Sequence, residues 1–189
     1  MLILNKNILT IGGNRLEGGP LTPPTPPGPS FDEVTIGTQT WITKSLAIDD
    51  GGEGITVLDS LIVNNVDIGP VYYYNWDAIQ RIVSNINGWH LPSQTEFNTL
   101  KSYVSNDGNK LKSTYGWRSG DEGTDNYGFS ALGTGNYTTT YNRVDNLGSW
   151  YYWWSNSSST MCAIAYNGTM LYTSPSSNYR YQVRLIKDT

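Results

Sequence analysis

The chain has 189 residues, with 12 Lys and Arg against 16 Asp and Glu, and carries a formal net charge of −4. Charged residues make up 15% of it, below the usual ~25%, and no cluster of Lys or Arg occurs. That excludes nucleic acid and anionic membrane as partners, which are bound through cationic contacts, and a single Cys and a single His exclude an internal disulfide, a Cys-based zinc cluster and a His-pair metal site.

Length allows one domain, or one domain with an appendage. No apolar run approaches the ~20 residues of a spanning helix, so membrane insertion is not expected. Met1–Thr10 lacks the charged, apolar and small-residue order of a signal peptide.

Residues 1–17 predict two short strands, Leu2–Leu4 and Ile8–Ile11, around an Asn5-Lys6-Asn7 turn. A hairpin of this size cannot bury a core of its own. It reads as an attachment or oligomerisation element, and a trimer is a reasonable state. Residues 18–30 (GGPLTPPTPPGPS) form a linker. Its prolines fix φ and favour an extended, semi-rigid spacer. Residues 31–189 form the domain.

Val34–Ile42 predicts a β-hairpin turning at Gly37-Thr38. Ile55–Val63 predicts a strand, and Tyr72–Tyr74 a short aromatic one. The first helix is predicted over Asn75–Asn87, because Ile79, Ile82, Val83 and Ile86 make one apolar stripe. Asn75 serves as its N-cap and Asn87-Gly88 as its stop. The second helix starts at Ser93, where Ser93-Gln94-Thr95-Glu96 spells a capping box. Phe97, Leu100 and Val104 form its buried stripe.

Beyond Gly108 turn residues crowd together. Short strands are predicted near Phe129–Leu132, Trp150–Trp154, Ala163–Tyr166, Met170–Tyr172 and Gln182–Ile186. Lys110, Leu111, Lys112 and Trp117 read as a short amphipathic turn, and Arg184 as one half of an ion pair. Helices early and strands late, without βαβ alternation, indicate an α+β fold.

Trp150–Gln182 stands apart. Its 33 residues hold six Tyr, seven Ser, three Asn and three Trp, and one charged side chain, Arg180. Tyr and Trp supply contact area with few rotors to freeze, and Ser and Asn supply adaptable hydrogen bonds, which is the composition of a paratope. The same residues also suit half-buried strands and loops. The candidate ligand-binding residues are Tyr151, Tyr152, Trp154, Asn156, Ser158, Tyr172, Asn178, Tyr179 and Arg180. Tyr137, Tyr141 and Asn142 border them, and Trp153, Ala163 and Ala165 are expected inward.

No catalytic, metal or cofactor set is read. His90 lacks a nucleophile motif beside it and reads as a surface or hydrogen-bonded histidine. The acidic loops Asp49–Glu53 and Asp121–Asn126 offer oxygen ligands of the kind calcium takes, but not at EF-hand spacing. Solvated turns are the simpler reading.

IGTQTW (Ile36–Trp41), GWHLPSQTEF (Gly88–Phe97), GNKLKSTYGW (Gly108–Trp117), GTDNYGFSALGTG (Gly123–Gly135), WWSNSS (Trp153–Ser158) and VRLIKD (Val183–Asp188) occur in one order. In that order they resemble the Fibrobacter succinogenes major paralogous domain. The resemblance covers about Val34–Thr189. It implies a C-type-lectin-like fold, related to formylglycine-generating enzymes, with two helices and a small, mostly antiparallel, loop-rich sheet. Gly133-Thr134-Gly135 and Lys44-Ser45 depart from the family's usual residues without touching the fold. The related enzymes use a pair of active-site cysteines, and this chain has only Cys162. The Glu-Pro-Asn, Gln-Pro-Asp and Trp-Asn-Asp motifs of calcium-dependent lectins are missing.

The chain is also similar to the variable proteins of diversity-generating retroelements. These display a Tyr/Asn/Ser-rich face near the C-terminus, produced by mutagenesis of adenine-containing template codons. The resemblance implies a non-enzymatic receptor binder on a phage tail tip, located on the virion. Its ligand would be a cell-surface protein or glycan of a target bacterium, and residues 1–17 would attach it to the particle. The alternative is a fixed adhesin or structural domain at a bacterial surface. An enzyme of formylglycine-generating type ranks last.

Overall fold

A computed structural model describes residues 29–189. The strands predicted within residues 1–17, and the linker as far as residue 28, lie outside the described residues.

β1 (Glu33–Ile36) and β2 (Gln39–Ile42) pair as an antiparallel hairpin, with Val34 opposite Trp41. The turn falls at Gly37-Thr38 as predicted. Gly37 has φ +64°, a conformation that only glycine adopts without a steric penalty. Successive strand residues point to opposite faces. Trp41 therefore enters one apolar cluster and Ile42 another.

β3 (Ile55–Leu58) is shorter than the strand predicted over Ile55–Val63. Asp67 explains the break. Its Oδ1 accepts the N–H of Leu61 and of Gly69, both at 3.0 Å, and its Oδ2 accepts the Ser60 hydroxyl at 2.8 Å. These bonds hold its carboxyl below the usual carboxylate range. They fold the following residues into a second hairpin, β4 (Ile62–Val63) and β5 (Val66–Asp67). Its turn residues Asn64 and Asn65 both have positive φ, the requirement of a tight two-residue hairpin turn. β6 (Val71–Tyr74) then returns to pair with β3.

α1 (Trp76–Val83) opens on the predicted cap, with Asn75 Oδ1 accepting the N–H of Ala78 at 2.9 Å. It stops at Val83, short of the predicted Asn87. Ser84 Oγ and Asn85 Nδ2 both donate to the Arg81 carbonyl at 2.9 Å. These polar side chains offer the backbone alternatives to helix. β7 (Trp89–His90) leads to α2 (Gln94–Tyr103), whose capping box forms in full. Glu96 donates its N–H to Ser93 Oγ, and its carboxylate accepts the N–H of Ser93.

The second half is built from short strands: β8 (Asn136–Thr138), β9 (Arg143–Asp145), β10 (Trp150–Trp154), β11 (Met161–Ala165), β12 (Met170–Thr173), β13 (Tyr179–Arg180) and β14 (Ile186–Lys187). The strand predicted at Phe129–Leu132 reduces to one bridge, Lys112 to Ala131. The one predicted over Gln182–Ile186 forms a ladder only at its end. The larger sheets run β1-β2-β14-β7, β10-β11-β12 and β13-β8-β9, all antiparallel. The result is a mixed α+β fold, mostly strand. Its first sheet joins the two ends of the domain, and Lys187 Nζ sits 2.7 Å from Glu33 Oε2.

β10 carries aromatic residues on both faces. Tyr151 and Trp153 enter a cluster with Trp41, Phe97, Phe129 and Ile164. Trp154, with Tyr152 at the margin, enters another built on Tyr74, Ile79, Tyr181 and Val183. The central sheet is thus covered on both sides.

Arg184 is 1% exposed. The predicted ion pair is incorrect, because no carboxylate pairs with it among the described residues. Its Nη1 donates to the carbonyls of Ile42 and Phe129, both at 2.8 Å, and its Nε donates to Tyr151 Oη at 3.1 Å. The guanidinium lies 4.3 Å from the Phe129 ring centre. Lys112 departs from the amphipathic turn in the same way. It is fully buried, and its ammonium donates to Asn109 Oδ1 and to the Tyr166 carbonyl above the Trp117 ring. Burial lowers its pKa.

His90 joins three elements. Its Nε2 meets Glu96 Oε1 at 2.8 Å and its Nδ1 meets Asp188 Oδ1 at 2.6 Å. Burial alone would lower its pKa, but the bonds to Glu96 and Asp188 outweigh this and raise it. A histidine raised on folding stabilises fully below its unfolded pKa of about 6.5, and that contribution is lost as pH rises through the folded pKa. The melting temperature of the native protein should therefore exceed that of His90→Asn most at pH 5.5. The gap should close toward pH 8.5.

Candidate binding face

The aromatic and polar residues of the C-terminal third do not share one surface. Tyr151 is fully buried. Its hydroxyl meets Ser45 Oγ at 2.8 Å and accepts from Arg184. Trp154 is 3% exposed and donates Nε1 to the Tyr74 carbonyl at 2.8 Å. Both positions are corrections: they belong to the core, where apolar clusters cover both faces of β10 at Tyr151, Trp153 and Trp154. Trp153, Ala163 and Ala165 are buried, as expected. Tyr172 lies opposite Cys162 on the Trp153 side of the sheet. It is half-buried, with its ring 5.8 Å from Phe97 and its hydroxyl 3.0 Å from Thr160 Oγ1. It is therefore separated from Tyr152.

Tyr152 and Tyr179 do come together through Tyr181, whereas Arg180 projects from the opposite face of β13. β13 pairs with β8, with Tyr179 opposite Thr138 and Arg180 opposite Tyr137. Tyr152 stacks on Trp150 at 5.4 Å with the rings 4° from parallel, and meets Tyr181 edge-on at 5.9 Å. Tyr179 lies 6.3 Å from that same Tyr181. Tyr141, 68% exposed, and Asn142 flank this group at the turn of the β8–β9 hairpin, while Tyr137 packs on Tyr73 at 6.0 Å on the other face.

The tips of the face are fixed by hydrogen bonds. Tyr179 Oη donates to Asp145 Oδ2 at 3.1 Å, while Arg143 Nε holds the other oxygen at 2.8 Å. The bond to Asp145, with burial second, raises the Tyr179 pKa. Arg180 is already engaged through Nη1, which donates to the Ile55 carbonyl at 2.8 Å and to Thr56 Oγ1. Its Nη2 and Nε have no bond among the described residues. Asn178 is exposed, while its carbonyl accepts from the N–H and the hydroxyl of Thr139. Gly135 lets β8 approach β9. A β-carbon there would stand 2.1 Å from the Asp145 carbonyl oxygen.

Asn156 and Ser158 are exposed on the β10–β11 loop, which Ser155 Oγ pins through Thr160. A groove of about 350 Å³ joins Ser158 to Tyr179 across Trp76 and Pro175. Sequence reasoning missed Trp76, because one aromatic after a helix cap looks like part of the helix's apolar stripe. It missed Asp145 and Arg143 for lack of any local motif.

Among the described residues no group of His, Cys, Asp and Glu is placed to hold a metal. In the two acidic loops, Asp125 accepts from the backbone and hydroxyl of Ser130, and Asp50 is paired with Arg81 at 2.6 Å. Burial pushes the Cys162 thiol well above its ordinary pKa.

Residues 34–187 match the profile of the Fibrobacter succinogenes major domain. The chain belongs to that family. Comparison with curated proteins and with solved structures gives no match. The Fibrobacter succinogenes major domain spans both helices and every described strand apart from Glu33. The candidate face is therefore part of the family's folded body.

Two outcomes separate core from face. Tyr151→Phe should cost about 1–3 kcal/mol, because it strips a buried bridge between Arg184 and Ser45. Tyr152→Phe should cost less than about 0.5 kcal/mol. Denaturant unfolding measures both. Iodoacetamide should leave Cys162 of the folded protein unmodified and label it in denaturant, read by mass spectrometry.

Proposed function

We propose that this Fibrobacter succinogenes major domain is a binding module with a C-type-lectin-like fold, and that it performs no chemistry. The observation that carries the reading is the pairing of Tyr152 and Tyr179 across Tyr181, bordered by Tyr141, on a frame of short strands. Aromatic anchors whose tips are already hydrogen-bonded lose little freedom on binding. The groove beside Ser158 and Tyr179 gives the ligand a concave edge to enter. Small antiparallel sheets and two helices are compatible with the lectin-like fold. A lone, buried Cys162 and a His90 committed to two carboxylates support a non-catalytic role.

In this proposal the face is diversified by a retroelement and the domain is the receptor binder of a phage tail tip, held on the virion by residues 1–17. Its ligand is a surface protein or glycan of the target bacterium. A second reading, a fixed adhesin at a bacterial surface, is favoured by the burial of Tyr151 and Trp154, which shrinks the set of positions free to vary.

Deep sequencing of the 3′ end of the gene across its source population decides between them. Diversification predicts substitutions at Tyr152, Asn156, Ser158, Asn178 and Tyr179, and none at Tyr151, Trp153 or Arg184. An invariant segment would leave the fixed adhesin.

A further inference from the structure

Away from the aromatic face lies a second cleft, of about 450 Å³. Its walls come from residues 43–47, residues 67–72 and the turn around Leu132, and its floor holds Gln182 and Arg184. That volume is within the range of small-molecule sites. Gln182 and Arg184 are each 1% exposed. They alternate along the last extended segment with Val183 and Leu185, which turn into the apolar core.

The floor has a fixed hydrogen-bond polarity. A guanidinium only donates. Arg184 Nε therefore gives its proton to Tyr151 Oη at 3.1 Å, Tyr151 gives to Ser45 Oγ at 2.8 Å, and Ser45 gives to Gln182 Oε1 at 2.5 Å. In this arrangement the Gln182 amide turns its oxygen toward Ser45 and leaves Nε2 as a free donor. Arg184 Nη1 is spent on the Ile42 and Phe129 carbonyls. Nη2 of Arg184 and Nε2 of Gln182 have no partner among the described residues, and neither is sealed from the cleft.

Two unpaired donors and a cation without a counter-ion thus line the floor of a cleft whose walls include Leu46, Ile68, Val71 and Leu132. The one carboxylate on the wall, Asp67, is held by the N–H groups of Leu61 and Gly69 and by the Ser60 hydroxyl. Lys44 adds a second cation at the rim, 3.9 Å from Asp32.

We propose that this cleft binds a carboxylate carried on a small apolar group. The carboxylate accepts from Arg184 Nη2 and Gln182 Nε2, and the apolar part lies against the aliphatic wall. Such a group is found both on a free small acid and at the C-terminal residue of a peptide.

Calorimetric titration of the full chain with N-acetyl-leucine and with N-acetyl-leucinamide tests it. The acid should bind at least about tenfold more tightly than the amide, because charge-assisted hydrogen bonds are lost with the charge. A peptide ending in Leu with a free carboxylate, and its amidated twin, separate the two sources. Tighter binding of the free-ended peptide than of the single residue assigns the site to a chain end, and equal binding assigns it to a free acid. Gln182→Glu keeps the bond from Ser45 but places a second carboxylate beside Arg184, so it should weaken the acid by about tenfold or more. Ala47→Trp, an exposed wall position, should block the cleft to a similar degree without touching the floor. Equal affinity for acid and amide, no heat with either at millimolar concentration, or undiminished binding by both variants overturns the proposal.

Discussion

A buried cation, Arg184, with no anion beside it among the described residues governs this domain. Removing a charge from water is unfavourable unless hydrogen bonds replace the hydration. Arg184 receives that replacement from three separate parts of the chain: the end of β2 at Ile42, the loop at Phe129, and β10 through Tyr151. Any displacement of these parts would leave the guanidinium partly bare, so they are held together. The same device recurs across the fold. Lys101 donates to the Met170 carbonyl, Lys110 to that of Val104 and Lys112 to that of Tyr166. Short strands and long turns leave backbone carbonyls without ladder partners, and a buried carbonyl must find a donor. In a chain with few charges, many cationic side chains serve as those donors.

The aromatic residues do two jobs in one connected array. From the solvent-facing side, Trp150 stacks on Tyr152, Tyr152 meets Tyr181, Tyr181 meets Trp154 edge-on at 5.2 Å, and Trp154 meets Trp76 at 5.4 Å. The proposed face is therefore the outer end of a ring network whose inner end is core. Edge-to-face and offset contacts of this kind add about 0.5–1.5 kcal/mol each beyond area burial. They hold the outer rings in place without needing charged surface pairs.

Local chemistry was readable from sequence, and long-range chemistry was not. The Ser93 capping box, the Asn75 cap and the Gly37 turn each depend on residues within a few positions of one another, and each formed as expected. β10 was located correctly, but its exposure was not. Trp150 to Trp154 has an aromatic residue at every position, so no polar alternation marks a solvent side, and two of the proposed contacts, Tyr151 and Trp154, proved internal. Arg184 misled for a related reason. A charged residue in a closing strand suggests a carboxylate partner, whereas its partners are carbonyls and rings contributed by distant segments. The second cleft had no sequence signature at all, because its walls meet only after folding.

The sheet that joins the ends of the domain has one more consequence. β1 and β14 flank the same strand, β2, and the ion pair of Glu33 and Lys187 spans them. Neighbouring strands lie about 4.8 Å apart, so the chain arrives and leaves within roughly 10 Å. A unit of this shape is portable: it can be spliced as a cassette into a surface turn of an unrelated carrier protein, or circularly permuted through a new opening in an exposed loop. Neither operation would require the carrier or the domain to change its backbone path.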